Sequence, residues 1–408
     1  MADTGLLKIG LFAKEKGIPV KGASVKISES GSGNVIDELI TDESGEAGTV
    51  FLNAPPLEYS MSPGQPTPYS EYDVAVTAEG YEPTTVRGVQ ILSDTEAIQD
   101  ISMLPLSGNE TDEIIIEDNV LAGDYPPKIP ESEVKPLAGA EGFVVLPEPV
   151  IPEYIVVHTG TPSNTAAKDY WVPFKDYVKN VASCEIYSTW PNSTIRANVL
   201  AIISFVLNRV YTEWYRSKGY NFTITNSTSF DLAYNHGRNI FQEISIVVDE
   251  IFTNYITKPN IRQPLLTQFC DGRMVTCPGW MTQWGSKALG DQGYSATDIL
   301  KNFYGYDIYL TSAKIVEGTP SSYPGTPLQV GSSGANVRTI QEQLNAIANN
   351  YPAIGKMKVD GIFGQNTKAA VQKFQNIFNL GQSGMVDFAT WYKISNIFVA
   401  VSKIAELR

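Results

Sequence analysis

The sequence predicts a multidomain chain: an N-terminal β-sandwich, a central α+β domain and a small three-helix unit at the C-terminus. Three observations carry that expectation. Short segments of alternating apolar residues, separated by Gly, Pro and Asp turns, fill residues 1–106. Apolar residues recur instead at helical spacing beyond residue 190. Between these regions, residues 107–153 carry eleven acids, two bases and seven prolines and sustain neither period. A length of 408 residues suits roughly two to four domains. With 43% hydrophobic and 18% charged residues, the composition is that of an ordinary globular chain.

In the first region, Leu6–Leu11, Ala23–Ile27, Thr49–Leu52, Tyr72–Ala78, Val89–Leu92 and Ile101–Leu104 read as strands, the third following the turn Asp42-Glu43-Ser44-Gly45. Residues 107–153 read as an extended acidic linker. A passive tether and a processed pro-segment cut near Val145–Val150 both suit that composition. Residues 154–312 form the middle unit. Thr194–Arg216 places Ile195, Val199, Ile202, Ile203, Val206 and Val210 on one broad face, and Asn239–Ile256 repeats the pattern. Ser295 reads as the N-cap of a short helix through Ile299, Leu300 and Phe303. Asp249 and Glu250 read as a solvated helix face, and His158 as part of a strand. After a linker at 313–325, residues 326–395 form the C-terminal unit, with Val337, Ile340, Leu344 and Ile347 on one helix and Ala370, Val371, Phe374 and Phe378 on another. Residues 396–408 remain as a tail.

The net charge of −14 is unevenly placed. Residues 1–153 hold 27 acids and 8 bases, whereas residues 154–408 hold 17 acids and 22 bases. No Lys/Arg stripe stands out, so nucleic acid is a poor partner. A mildly basic body beside an acidic region fits contact with an anionic polymer. The longest apolar run, Asn198–Leu207, is too short for the ~20 residues of a membrane span. The start, Met1-Ala2-Asp3-Thr4-Gly5, lacks the basic and apolar regions of a Sec-type signal peptide. Three cysteines make no disulfide framework, although the spacing admits a Cys270–Cys277 bridge in an oxidising compartment. Only His158 and His236 are available as imidazole ligands, at no useful spacing to the cysteines, so neither a metal nor another cofactor is expected.

Several stretches carry family resemblances. Pro19-Val20-Lys21-Gly22-Ala23, Thr41-Asp42-Glu43-Ser44-Gly45 and Ala78-Glu79-Gly80-Tyr81 resemble transthyretin-like, carboxypeptidase-regulatory-like sandwiches, which act as accessory modules. Leu328-Gln329-Val330-Gly331, Gln341, Val359-Asp360-Gly361-Ile362-Phe363-Gly364, Thr367, Gln375 and Gly384-Met385-Val386-Asp387 resemble the three-helix peptidoglycan-binding domain. That resemblance makes Asp360, Gly361, Phe363, Gly364 and Thr367 its marking residues. Physically, Asp360-Gly361 and Gly364 read as a tight turn at positive φ that opens the second helix with Thr367.

In the middle unit, Glu185 through Trp190-Pro191 ahead of a helix, then Met281-Thr282-Gln283-Trp284-Gly285 and Ile299-Leu300-Lys301-Asn302-Phe303-Tyr304, resemble lytic transglycosylases of the stage II sporulation protein D type. The resemblance implies that Glu185 is the catalytic acid and that Trp190, Gln283, Trp284 and Tyr304 contact sugar. Glycosidic cleavage needs a carboxylic acid whose pKa is raised by an apolar setting. Tyr187 and Trp190 could supply that setting, and a loop before a helix could present the acid to a cleft. Three departures from the family stand out. Arg196-Ala197-Asn198 replaces Lys-Ala-Gln, Ile203-Ser204-Phe205 replaces Arg-Thr/Ser-Tyr, and Cys277 stands where relatives have a histidine.

The order of the units resembles the clostridial spore cortex-lytic enzymes. This implies a precursor cut by an activating protease, then cleaving spore-cortex peptidoglycan to 1,6-anhydro ends during germination. It also implies residence in the spore cortex or coat region, or in the cell wall. The alternative is a non-catalytic wall-binding protein with a degenerate enzyme domain.

Overall fold

In the computed structural model, residues 3–13, 16–106, 112–137, 145–318 and 323–406 are described, the last with side chains to residue 402. The N-terminal region is two sheets packed face to face. One contains β1 (Asp3–Ala13), β2 (Ile18–Pro19), β5 (Glu46–Ala54) and β8 (Glu96–Ser102). The other runs β4-β3-β6-β7-β9, from Ser24–Glu29 (β3), Val35–Ile40 (β4), Tyr69–Thr77 (β6), Thr84–Leu92 (β7) and Asp112–Ile115 (β9). Val25, Ile27, Val74, Val76 and Val86 of the second sheet meet Leu7, Ile9 and Leu11 of the first, all buried. Within residues 1–106, β4 is the strand of this sheet with no predicted counterpart. Val35, Ile36 and Ile40 are exposed on this edge, so no buried face impresses a period on it.

The acidic linker is not a free tether. β9 extends the second sheet in parallel with β7, and residues 117–137 then run across the middle unit. β10 (Val150–Ile151) pairs with β19 (Ile315–Val316), so the second linker also closes onto the folded body. Local composition cannot show such pairing, because the partner strand lies far along the chain.

The middle unit wraps around one buried helix. β11 (Tyr154–His158) pairs with β12 (Asp169–Pro173) and β13 (Ile224–Thr225), leading into α1 (Phe174–Glu185) and α2 (Asn192–Tyr211). Ala201, Ile202, Ile203 and Val206 of α2 are wholly buried, each large side chain contributing ~1.5–3 kcal/mol. An apolar window of α2 matches a membrane span in length, but 83% of it is buried inside the protein. It is a core helix. The predicted helix Asn239–Ile256 divides into three. β14 (Ile240–Phe241) pairs with β8 of the sandwich, α3 (Gln242–Ile251) follows, and β15 (Asn254–Thr257) pairs with β18 (Tyr309–Ser312). Strand partners outbid the helical period at both ends. β16 (Phe269–Cys270), β17 (Met281–Thr282), α4 (Gln283–Asp291) and α5 (Ala296–Tyr304) complete the unit. Ser295 caps α5, its Oγ accepting from the Asp298 amide at 3.2 Å.

The C-terminal unit comprises α6 (Ala335–Ile347), α7 (Gln365–Ile377) and α8 (Phe388–Glu406). One device is used twice. Gln341 Nε2 donates to Asp360 Oδ1 and the Ile362 carbonyl, both at 3.0 Å, and to Thr367 Oγ1 at 3.2 Å, while its Oε1 accepts from Gly361 N at 2.8 Å. Gln375 Nε2 likewise donates to the Met385 carbonyl at 2.9 Å and Thr390 Oγ1 at 3.0 Å, and its Oε1 accepts from Gly384 N at 2.8 Å. Gly361 has φ +74° and Gly384 +71°, as such a turn requires. Gly364 does not share this conformation. Its φ is −95°, and an added Cβ would meet nothing within 4 Å. Its role is to precede α7 rather than to relieve strain.

Candidate functional site

Glu185 is the last residue of α1, not part of a loop ahead of α2, and it is wholly buried. The reason is visible in α1 itself. Phe174, Tyr177, Val178, Val181 and Ala182 are buried on the helix, which draws the following turn into the core as well. The carboxylate Oε1 accepts from the Ala233 amide, and Oε2 accepts from Gln283 Nε2, each at 2.8 Å. Gln283 opens α4, and its Nε2 also donates to the Glu185 carbonyl at 2.8 Å. Its Oε1 is buried without a hydrogen-bond partner among the described residues.

Burial pushes the Glu185 carboxyl above its ordinary range. The Lys128 charge and the two hydrogen bonds pull it back only in part. Lys128 Nζ donates to the Asp231 carbonyl at 2.7 Å, and burial lowers its pKa to about 8. The loop that supplies both Asp231 and Ala233 is itself anchored. Asp231 is wholly buried, accepting from Arg209 Nε at 2.9 Å, Tyr215 Oη at 2.6 Å and Thr225 Oγ1 at 2.8 Å. The site thus holds a buried acid, fixed by two donors, whose pKa burial has raised.

The other predicted contacts divide. Gln283 is brought against Glu185, where it positions the acid rather than facing solvent. Trp190 is buried, packs at a tilt against Trp284 (5.1 Å between ring centroids) and edge-on against Tyr187 (5.8 Å), and donates through Nε1 to the Ser60 carbonyl of the sandwich at 2.9 Å. Trp284 and Tyr304 are half-buried, Tyr304 Oη donating to the Gln268 carbonyl at 3.0 Å. Cys270 and Cys277 are joined as a disulfide with Cα atoms 6.3 Å apart. Cys184 is a buried free thiol. Asp360, Gly361 and Thr367 hydrogen-bond Gln341 at the α6–α7 turn, where Phe363 is buried, Ile362 exposed and Gly364 precedes α7. Among the described residues, no three His, Cys, Asp or Glu side chains gather as a metal site.

Asp249 corrects the reading of a solvated face. It is buried between Lys175 Nζ at 3.0 Å and Lys179 Nζ at 2.6 Å. Sequence reasoning also missed Asn119, Tyr125 and Lys128, which reach the site from the acidic linker. The one available signal was a tyrosine and a lysine, one of two, within an acidic, proline-rich stretch.

With this geometry in hand, comparison with known proteins bears on the C-terminal unit. The family model of the peptidoglycan binding domain matches residues 333–394. The C-terminal unit is a peptidoglycan-binding domain. The chain is 42% identical over 74 residues to a zinc D-Ala-D-Ala carboxypeptidase of Streptomyces albus G, covering 18% of this chain and 27% of that protein. It thus spans about a quarter of that relative's length. Two solved structures resemble parts of the chain. The SleB N-terminal domain is 28% identical, covering 19% of this chain and 99% of that one with a TM-score of 0.17. Klebsiella pneumoniae 5-hydroxyisourate hydrolase is 15% identical, covering 26% and 99% with a TM-score of 0.17. Scores this low carry no functional argument.

Proposed function

We propose that the chain is the precursor of a peptidoglycan lytic transglycosylase acting on spore cortex during germination, with Glu185 as its general acid. The observation that carries the reading is a buried carboxyl held by Ala233 N and Gln283 Nε2 with its pKa raised, in a chain that ends in a peptidoglycan-binding domain. The carboxyl delivers its proton to the oxygen between MurNAc and GlcNAc as that bond breaks. The C6 hydroxyl of the same MurNAc closes onto the anomeric carbon, and its proton restores the carboxyl. The product is a 1,6-anhydro end, and no water is consumed. The chain's resemblance to cortex-lytic enzymes supports the substrate and the spore location. The complete burial of Glu185 supports a precursor that needs an activating protease.

A second reading is a non-catalytic wall-binding protein, favoured by that same burial and by Ile203-Ser204-Phe205 where relatives carry Arg-Thr/Ser-Tyr. Muropeptide analysis separates the two. The full chain, intact and after limited proteolysis near Val145–Val150, is incubated with cortex and vegetative peptidoglycan beside its Glu185→Gln variant. Anhydro products from the cut wild type alone support the enzyme. Sacculus binding with no products from any sample supports the binder.

A further inference from the structure

The segment after β9 does more than connect. Asn119 donates through Nδ2 to the carbonyls of Ser183 at 3.1 Å and Ile186 at 3.4 Å, on either side of Glu185. Val120 N donates to the Cys184 carbonyl at 3.0 Å. Tyr125 is 5% exposed, its ring packed with the Cys270–Cys277 bridge and Trp280. Lys128 then reaches the Asp231 carbonyl and lies 5.9 Å from the centre of the Phe269 ring. Further on, Ile129 N donates to the Ser229 carbonyl at 2.7 Å, and Glu131 pairs with Arg209 at 2.5 Å. The strap thus touches both flanks of the acid.

We infer that residues 117–134 lie along the path of the glycan strand, with Tyr125 filling the sugar subsite next to Glu185 and Lys128 seated beside the acid. The inference rests on the reading of Glu185 as the general acid. The Tyr125 slot has the chemistry of a saccharide site: Trp280 and the Cys270–Cys277 bridge pack around the ring, the Phe269 ring lies under Lys128, and the Glu185 and Asp271 carboxylates act on the Tyr125 hydroxyl. The occupant fits it loosely as a polar group. Among the described residues, the Tyr125 hydroxyl meets the Phe269 carbonyl alone, at 3.5 Å, the outer limit of a hydrogen bond. Gln283 Oε1, buried beside the acid and without a partner among the described residues, is an acceptor that a sugar hydroxyl or acetamido N–H would satisfy. Lys128 donates to the Asp231 carbonyl, lies against the Phe269 ring and feels the Glu185 charge, contacts that a variant without the ammonium group would lose together. Glycan and strap therefore compete for one cleft.

The test uses the full chain and reads Glu185 without turnover. Wild type, Lys128→Ala and Tyr125→Ser/Lys128→Ala are treated with a water-soluble carbodiimide and glycinamide, and modification of Glu185 is followed by peptide mass spectrometry. The probe is soluble, uncrosslinked GlcNAc–MurNAc strands. The expected result is at least tenfold faster labelling in the double variant, slowed again by the strands. Unchanged labelling in a double variant with native near-ultraviolet circular dichroism would overturn the inference. Faster labelling that the strands do not slow would equally refute a shared path. If the double variant does not fold, Lys128→Ala alone carries both readouts. Labelling with strand protection but no anhydro products would sink the transglycosylase reading and leave the shared cleft standing.

Discussion

Asp249→Asn tests how α1, and with it Glu185, is held in place. Lys175 and Lys179 lie one turn apart on α1, and both ammonium groups converge on the Asp249 carboxylate of α3. Burial alone would push that carboxyl up, yet the two lysines outweigh it and hold it well below the usual carboxylate range. The amide variant keeps the shape but removes the charge, leaving the two buried ammonium groups without their paired carboxylate and with the Asp176 charge alone to offset them among the described residues. Breaking a buried pair in this way costs about 3–5 kcal/mol, a large part of the about 5–15 kcal/mol that holds a typical protein folded. At an m-value of ~2 kcal/mol per M, the urea midpoint of this region falls by roughly 2 M. The assay is urea denaturation of the full chain, followed by the fluorescence of the Trp190–Trp284 pair near the end of α1. The triple variant Asp249→Leu/Lys175→Leu/Lys179→Met should recover most of the loss, because it removes the unpaired charges as well as the pair. A midpoint shift below about 0.3 M in Asp249→Asn would refute the argument. Because folding depresses the Asp249 pKa, its contribution is present above the unfolded value near 3.8 and is lost as pH falls below it.

Other consequences are quickly checked. Glu185→Gln should leave the urea midpoint within about 1 M of wild type, because losing the buried charge offsets the one acceptor lost against Ala233 N or Gln283, worth ~1–3 kcal/mol. A larger drop would mean that the carboxylate is a structural keystone. Burial, with help from Lys179 and Lys16, lowers the Lys393 pKa from 10.5 to about 8. A lowered lysine favours the folded state as pH rises, so stability should climb between pH 8 and 10.5 by up to ~3 kcal/mol on its account. Lys393→Met should flatten that rise, and an unchanged slope would exclude Lys393 as its source. Gln341→Ala removes the hub of the Asp360–Thr367 turn. Leaving the buried Gly361 N–H without its acceptor should cost about 1–3 kcal/mol and weaken retention on sacculi, whereas Glu342→Ala on the exposed side of α6 should do neither.

The sandwich strands, α2 and the peptidoglycan-binding turn were legible in the sequence because each is set by neighbours within a few residues. Alternation marks a half-buried strand, a broad apolar face marks a core helix, and Asp360-Gly361 marks a turn whose glycine sits at φ +74°. Glu185 could be named from its surrounding stretch, but its state could not. Its donors, Ala233 and Gln283, lie 48 and 98 residues away. The same distance hid the role of the acidic segment. Residues 117–137 have no period of their own, since an extended chain laid in a groove takes its order from the groove, through Ser183, Cys184, Asp231 and the Cys270–Cys277 loop. Asp249 shows the same division on one residue. Its charge suggested solvent, and only the packing of α1 against α3 placed two lysines on it. Local chemistry decided the elements; long-range packing decided which charges are buried and what covers the acid.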